Sequence, residues 1–377
     1  MSSSLPSRLC SLDIARGLAA LSIVFWHWQH FFYGAETRLP AEFDWHLIPA
    51  YTHMPWLYEH VGILSLYFFF SLSGFVFFWL YAESISQKQC STYEFIVARV
   101  ARLYPLHLLS LGLVAVLQTL YWHQSEQYFV FSLNDGYHFL LQIFLINAWG
   151  LQQGFSFNGP IWSVSSECLF YVCFFLLARL RCLQVISTLM VITFLILLRT
   201  YAGLILGQLQ AYALVAGFES FMWGGLTYLF CQYFLRQTIS KGLKNLLLGI
   251  LSMVCLCFSV LLCFIPQSAL HSTDYDLIAR SLIPISLFTL VMWEMETKCK
   301  FSRWAWLGDI TYSVYLLHFP LQLLCELIRK NNNLSITIYS SGWFMLLFFA
   351  VLIPLSYLSY RYFEAPLRQW LRSRYMT

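Results

Sequence analysis

A cation and a titratable ring share the first apolar stretch of the sequence: Arg16 and His27, eleven residues apart. At about 100° per residue an α-helix returns them to nearly the same face, roughly 16 Å apart along its axis. A guanidinium at one end can neutralise phosphate, and an imidazole at the other can accept a proton from a hydroxyl. Asp13, three residues before Arg16, can share that face and hold the guanidinium. The plainer alternative makes Arg16 a snorkelling anchor and His27 a hydrogen-bonded core residue. A second cation pair, Arg99 and Arg102, stands one turn apart before Leu103-Tyr104-Pro105. It forms a fork suited to phosphate or pyrophosphate, or else a positive-inside anchor. The third group is Glu167, about one turn into an apolar helix that opens Trp162-Ser163-Val164-Ser165-Ser166. A carboxylate at that depth needs a specific partner. Ser163 capping the helix, with Ser166 and Glu167 in its first turn, is the structural alternative.

The elements that must position these groups are membrane helices. Of 377 residues, 59% are hydrophobic and 11% charged, against roughly 25% charged in a water-soluble domain, so a soluble globular enzyme is excluded. Stretches long enough to cross a bilayer fall at about 14–33, 61–81, 102–121, 163–180, 184–199, 217–235, 245–265, 277–295, 305–326 and 342–360. Two further apolar pieces, about 137–151 and 201–215, are too short or interrupted to cross. The expected fold class is therefore an all-α polytopic integral membrane protein of about ten transmembrane helices. We read residues 1–377 as a single membrane-embedded domain with no additional soluble domain, and the first stretch as a retained helix, since no small-residue cleavage site follows it.

Arginine and lysine cluster at Arg99/Arg102, Arg179/Arg181, Arg236/Lys241/Lys244, Lys298/Lys300/Arg303 and Arg361/Arg368/Arg372/Arg374. Placing these inside requires ten spans with both termini cytoplasmic, and only Arg329/Lys330 then face the wrong way. Segments 34–60 and 122–162 and an acidic loop holding Asp274 and Asp276 are then outside. The loop at 34–60 is dense in Trp45, Tyr51, Trp56 and Tyr58, rings that could stack on a sugar or form an interfacial aromatic belt. The net charge of +4 is small and scattered and gives no sign of nucleic-acid binding. Most cysteines lie in apolar runs, as Cys168, Cys173 and Cys255 do, without metal spacing.

In order along the chain come Leu12-Asp13-Ile14-Ala15-Arg16-Gly17-Leu18 continuing to His27, then Phe70-Ser71-Leu72-Ser73-Gly74-Phe75, then Arg99/Arg102 with Tyr104-Pro105. Trp162-Ser163 with Glu167 follows, and then Leu307-Gly308-Asp309-Ile310-Thr311-Tyr312-Ser313-Val314-Tyr315-Leu316-Leu317-His318. In this order and spacing the sequence resembles the acyltransferase family 3 proteins, membrane O-acyltransferases of bacterial surface polysaccharides and related acceptors. The resemblance covers nearly the whole chain. Ala15 and Thr311 depart from the residues frequent at those places.

The resemblance implies a multi-pass protein of the bacterial inner membrane that moves an acyl group, an acetyl above all, from cytoplasmic acetyl-CoA to a sugar hydroxyl. The acceptor would belong to a surface polysaccharide, lipopolysaccharide or lipid-linked glycan. It implies His27 as general base with Glu167 as its acidic partner, and Arg16, Arg99, Arg102, Ser73 and Gly74 at the donor. Trp162 and Asp44 are the candidate acceptor-binding residues. No metal and no nucleic acid are expected, and membrane lipids surround the chain. An acyl-enzyme on Ser71, Ser73, Ser163, Ser165 or Ser166 is the variant mechanism. Gly74 could instead be a packing glycine, and His318 matches the family pattern although a histidine among aromatics also suits a core. A hydrolase-like domain carried by some members would have to be supplied by another protein. Two other classes use the same residues: a transporter or flippase for a glycan intermediate, and a non-enzymatic assembly or sensor component.

Overall fold

A computed structural model describes residues 5–6, 8–33, 39, 43–205, 209–265, 269–297 and 301–375. Ten long helices dominate it: α1 (Cys10–Trp26), α2 (Val61–Leu80), α3 (Thr92–Ser125), α4 (Trp162–Arg179), α5 (Val185–Ile205), α6 (Leu209–Arg236), α7 (Lys241–Leu262), α8 (Ser272–Thr297), α9 (Thr311–Asn331) and α10 (Gly342–Ser359). A shorter helix, α11 (Ala365–Tyr375), follows, and no strand occurs among the described residues. Each of the ten apolar stretches is thus a helix. Among the described residues, seven segments are by themselves long and apolar enough to cross a membrane, within α2, α3, α4, α6, α7, α8 and α10–α11. The expectation of ten spans is accordingly approximate. The three other helices are the short α1, the shorter apolar run of α5, and α9, which carries His318, Gln322 and Glu326. Lys298 and Lys300, and 34–38 and 40–42 of the loop at 34–60, lie outside the described residues.

The two short apolar pieces fare differently. Residues 137–151 form an eight-residue helix, Gly136–Ile143, and a π-turn, Asn147–Leu151. At 1.5 Å per residue that helix reaches about 12 Å, far less than a bilayer core. Of the piece at 201–215, residues 201–205 end α5 and 209–215 open α6, while 206–208 lie outside the described residues. The helix continues past Arg199 because the guanidinium is neutralised within the protein.

Contacts gather the chain into two units, one of Met1–Ala19, Glu59–Cys90 and Leu169–Asp309, the other of Ala20–Tyr58, Ser91–Cys168 and Ile310–Thr377. In the first unit the core joins Leu5, Leu9 and Leu12 to Phe75, Leu248, Ile283 and Leu287. Its closest packing is between α2 and α6. A Cβ on Gly74 would lie 1.8 Å from the carbonyl oxygen of Phe221, and one on Gly224 would lie 1.7 Å from that of Ser71. Each helix contributes a glycine and a carbonyl, so the backbones touch twice. We expect Gly224→Ala to destabilise the protein by about 1–3 kcal/mol or to prevent folding, because the obstruction is backbone and cannot rotate aside. Gly249→Ala, where a Cβ meets open space, serves as control, with thermal unfolding in detergent as the measurement.

The same unit buries a charge network absent from the sequence reading. Arg199 on α5 lies 3.3 Å from Glu219 on α6 and 3.0 Å from Asp276 on α8. Arg280, one turn after Asp276, donates to both oxygens of Glu219 at 2.6 and 3.3 Å. The hydroxyls of Tyr67 (2.8 Å) and Tyr212 donate to Asp276, and Trp223 Nε1 donates to Glu219 at 3.3 Å. Two cations and two anions cancel. Asp276 is therefore not in an outer loop as expected; α8 begins four residues earlier and carries it inside, where Arg199 and two tyrosines satisfy it.

The second unit packs α9 against α3 and α10. Buried Trp28 donates through Nε1 to the carbonyl of Tyr339 at 3.0 Å, and the rings of Phe31 and Tyr339 stack at 3.9 Å. Its longest helix, α3, opens with a capping box. Ser91 Oγ accepts from Glu94 N at 3.1 Å while the Glu94 carboxylate accepts from Ser91 N at 2.7 Å.

Candidate active site

Helix α1 stops at Trp26, and His27–Phe32 form a 3₁₀ helix. In that geometry residues three apart eclipse, so His27 and His30 stand one above the other, ring centroids 4.6 Å apart and planes 23° from parallel. Gln322 on α9 holds both. Its Nε2 donates to the carbonyl of His27 at 2.9 Å, and its Oε1 lies 3.2 Å from Nδ1 of His30. A carbonyl can only accept, so the amide orientation is determined: nitrogen faces His27 and oxygen faces His30.

The ring of His27 meets His318, four residues before Gln322 on α9. Nδ1 of His27 lies 2.9 Å from Nε2 of His318. The planes are 5° from parallel and the centroids 4.9 Å apart, so the rings lie offset from one another and meet at their nitrogen-bearing edges. Both histidines are buried, and no hydrogen bond reaches Nε2 of His27 among the described residues. No group of three His, Cys, Asp or Glu side chains among the described residues is arranged to hold a metal ion.

From His318 the site extends along one helical turn to Tyr315, whose ring centroid lies 5.9 Å from the imidazole. The Tyr315 hydroxyl donates to the carbonyl of Pro160 at 2.6 Å and thus accepts from Ser163 Oγ at 2.8 Å. Ser163 is therefore committed to Tyr315 and does not form the capping box, since the turn Gly159–Ile161 precedes α4 and takes over its entry. Ser165 is occupied as well, donating to the carbonyl of Leu145 at 2.8 Å and accepting from Ala148 N at 3.0 Å. Glu167, half-buried on α4, acts electrostatically on Tyr315. Both Glu167 and Arg99 act on the neighbouring thiol of Cys168, so α3 and α4 bring the arginine pair and the acid into one neighbourhood. Arg99 lies over the Phe95 ring at 5.9 Å, while Arg102, one turn on, is exposed. Trp162 is half-buried with its ring 6.3 Å from that of Phe155.

The second unit thus holds His27, Glu167, Arg99, Arg102 and Trp162. Arg16, Ser73 and Gly74 belong to the first. There Arg16 donates to Asp13 at 3.0 Å, the partner its spacing predicts, and to the carbonyl of Gly308 at 2.7 Å. Gly74 is occupied by the α2–α6 contact. Asp44 is exposed and caps the short turn Trp45–Leu47 by accepting from His46 N at 3.0 Å. Beside it the aromatic loop packs on itself, Trp45 stacking on Tyr51 at 5.3 Å and Tyr58 donating to the carbonyl of Pro49 at 2.5 Å.

The direct ring partner of His27 is a second histidine, His318, whose aromatic surroundings in the sequence equally suit a core residue. The His-x-x-x-Gln spacing on α9 was the available signal, since 318 and 322 fall on one helical face, as 27 and 30 do in a 3₁₀ turn. For the charge network the signal was plainer: Arg199, Glu219 and Arg280 each interrupt an apolar helix with a charge.

The family model of the acyltransferase domain, acyltransferase family 3, matches residues 10–361. A protein of Rhizobium radiobacter named "Protein 2 in picA locus" is 36% identical over 115 residues, a match that covers 30% of this chain and 48% of that protein. The chain thus spans about half the length of this curated relative. No solved structure matches it. The family match encloses every motif named above, from Asp13-Ile14-Ala15-Arg16 to the Tyr315–His318 turn, and the chain belongs to acyltransferase family 3.

Proposed function

We propose that this protein is a membrane O-acyltransferase that moves an acetyl group from acetyl-CoA to a sugar hydroxyl of a surface polysaccharide, lipopolysaccharide or lipid-linked glycan. The observation that carries this reading is the buried His27, hydrogen-bonded through Nδ1 and open at Nε2, in a chain of an acyltransferase family. Nε2 takes the proton of the acceptor hydroxyl as its oxygen attacks the thioester carbon, and returns it to the departing thiolate. Glu167 acts by electrostatics on Tyr315, which lies one helical turn from His318. Arg99 and Arg102 hold the donor phosphates, and the exposed guanidinium of Arg102 supports this assignment.

The test is transfer by the purified full chain in lipid nanodiscs, supplied with acetyl-CoA and a membrane glycan extract. A mass increment of one acyl group on the glycan, with equal release of free thiol, is the expected result. Thiol release without acylated glycan, or neither, overturns it. In the same assay Arg102→Lys keeps the charge but loses the planar fork, so KM for acetyl-CoA should rise about tenfold with kcat little changed. An unchanged KM removes Arg102 from the donor site.

A further inference from the structure

We propose that His318 is a positioning residue that fixes the proton of His27 on Nδ1 and so keeps Nε2 bare for the acceptor hydroxyl. The inference rests on the reading of His27 as the base. Nδ1 of His318 is buried with no hydrogen-bond partner among the described residues, Nε2 is taken by His27, and the backbone of Val314 and Tyr315 in the preceding turn of α9 acts on the ring, so Nδ1 is the nitrogen left for their carbonyls. Carbonyls only accept, so the proton of a neutral His318 sits on Nδ1 and Nε2 presents a lone pair. The atom facing that lone pair, Nδ1 of His27, is then the donor across 2.9 Å. Each neutral imidazole has one N–H, and Nε2 of His27 is therefore unprotonated.

His30 obeys the same logic. Gln322 Oε1 can only accept, which places the His30 proton on Nδ1 and leaves no N–H aimed at His27 from that side. The arrangement performs with neutral groups what a carboxylate does behind the histidine of a hydrolase triad, and it avoids a bare anion among buried aromatic rings. During transfer the acceptor O–H bond breaks as its oxygen bonds to the thioester carbon, and the proton moves to Nε2 of His27. His27 is then an imidazolium whose Nδ1–H still bonds to the His318 lone pair. As the C–S bond breaks, the thiolate takes the proton from Nε2, and both rings return to their starting tautomers. Atoms and charge balance without a further reactant.

The decisive measurement is nitrogen NMR of the full chain labelled with ¹⁵N-histidine in nanodiscs near neutral pH, with His27 assigned by its loss in His27→Ala. We expect the Nδ1–H tautomer for His27 in the wild type, and a shift toward the Nε2–H tautomer in His318→Phe. His318→Gln, which can again offer an acceptor oxygen, should restore the wild-type pattern. In thiol release from acetyl-CoA, His318→Phe should lower kcat about 100-fold with KM unchanged, and His318→Gln should recover most of that loss. An Nε2–H tautomer for His27 in the wild type overturns the proposal even if His318→Phe fails to fold. If His27→Ala keeps full activity, the base assignment fails instead. An inactive His27→Ala beside a fully active His318→Phe overturns only the positioning role.

Discussion

His27→Ala should abolish acyl transfer while the protein reaches the membrane at wild-type levels and still binds acetyl-CoA. A general base contributes about 10²–10⁴-fold, and the neighbouring imidazoles are placed elsewhere: Nε2 of His318 meets the inner edge of the His27 ring, a ring's width short of Nε2 of His27, and His30 is held by Gln322. The loss should fall on kcat, since the proton moves only in the transition state. Activity in the wild type should rise with pH as the imidazolium of His27 deprotonates and level off once the neutral ring predominates, because only the neutral ring accepts a proton. Glu167→Gln should be defective too, and the double substitution should cost little more than the worse single one if the two serve one step. Near-normal glycan acylation by His27→Ala would remove histidine base catalysis from this account.

The second large effect is on stability. Arg199→Leu should destabilise the protein by about 3–5 kcal/mol, because it leaves Asp276 buried with only the hydroxyls of Tyr67 and Tyr212, and Glu219 with only Arg280 and Trp223. Removing the charges together should be far milder. Arg199→Met combined with Asp276→Asn takes out one cation and one anion and keeps the Arg280–Glu219 pair intact, so most of the loss should be recovered. Thermal unfolding in detergent and the yield of folded protein from membranes measure both. Equal stability of Arg199→Leu and wild type would mean that water or lipid headgroups satisfy the acids and that the network is not dry.

Much of this architecture is legible in the residues. Ten apolar stretches are ten helices, because burial in lipid allows backbone groups few other partners. Local pairings are legible for the same reason that helices are: Asp13 and Arg16 are one turn apart and meet. What escapes is whatever depends on which helices touch. His27 and His318 are 291 residues apart, and nothing in either helix alone announces the 2.9 Å contact. Asp276 reads as a loop residue while its partners on α2, α5 and α6 are unknown. Ser163 reads as a cap until Tyr315 claims its hydroxyl. The same-face argument linking Arg16 to His27 also assumes one helix type throughout, whereas the turn at His27 is already 3₁₀.

The double contact between α2 and α6 limits how the first unit can move. A slide of one turn, about 5.4 Å, would bring the side chain of Phe70 or Phe78, each four residues from Gly74 on the same face, toward the Phe221 carbonyl that Gly74 now meets. Shear along this interface by whole turns is therefore blocked. Pivoting about the crossing point leaves both contacts in place and remains open. Whatever rearrangement turnover demands of these two helices is a rocking motion about a fixed fulcrum, and distances measured between their ends should change while distances at the crossing stay constant.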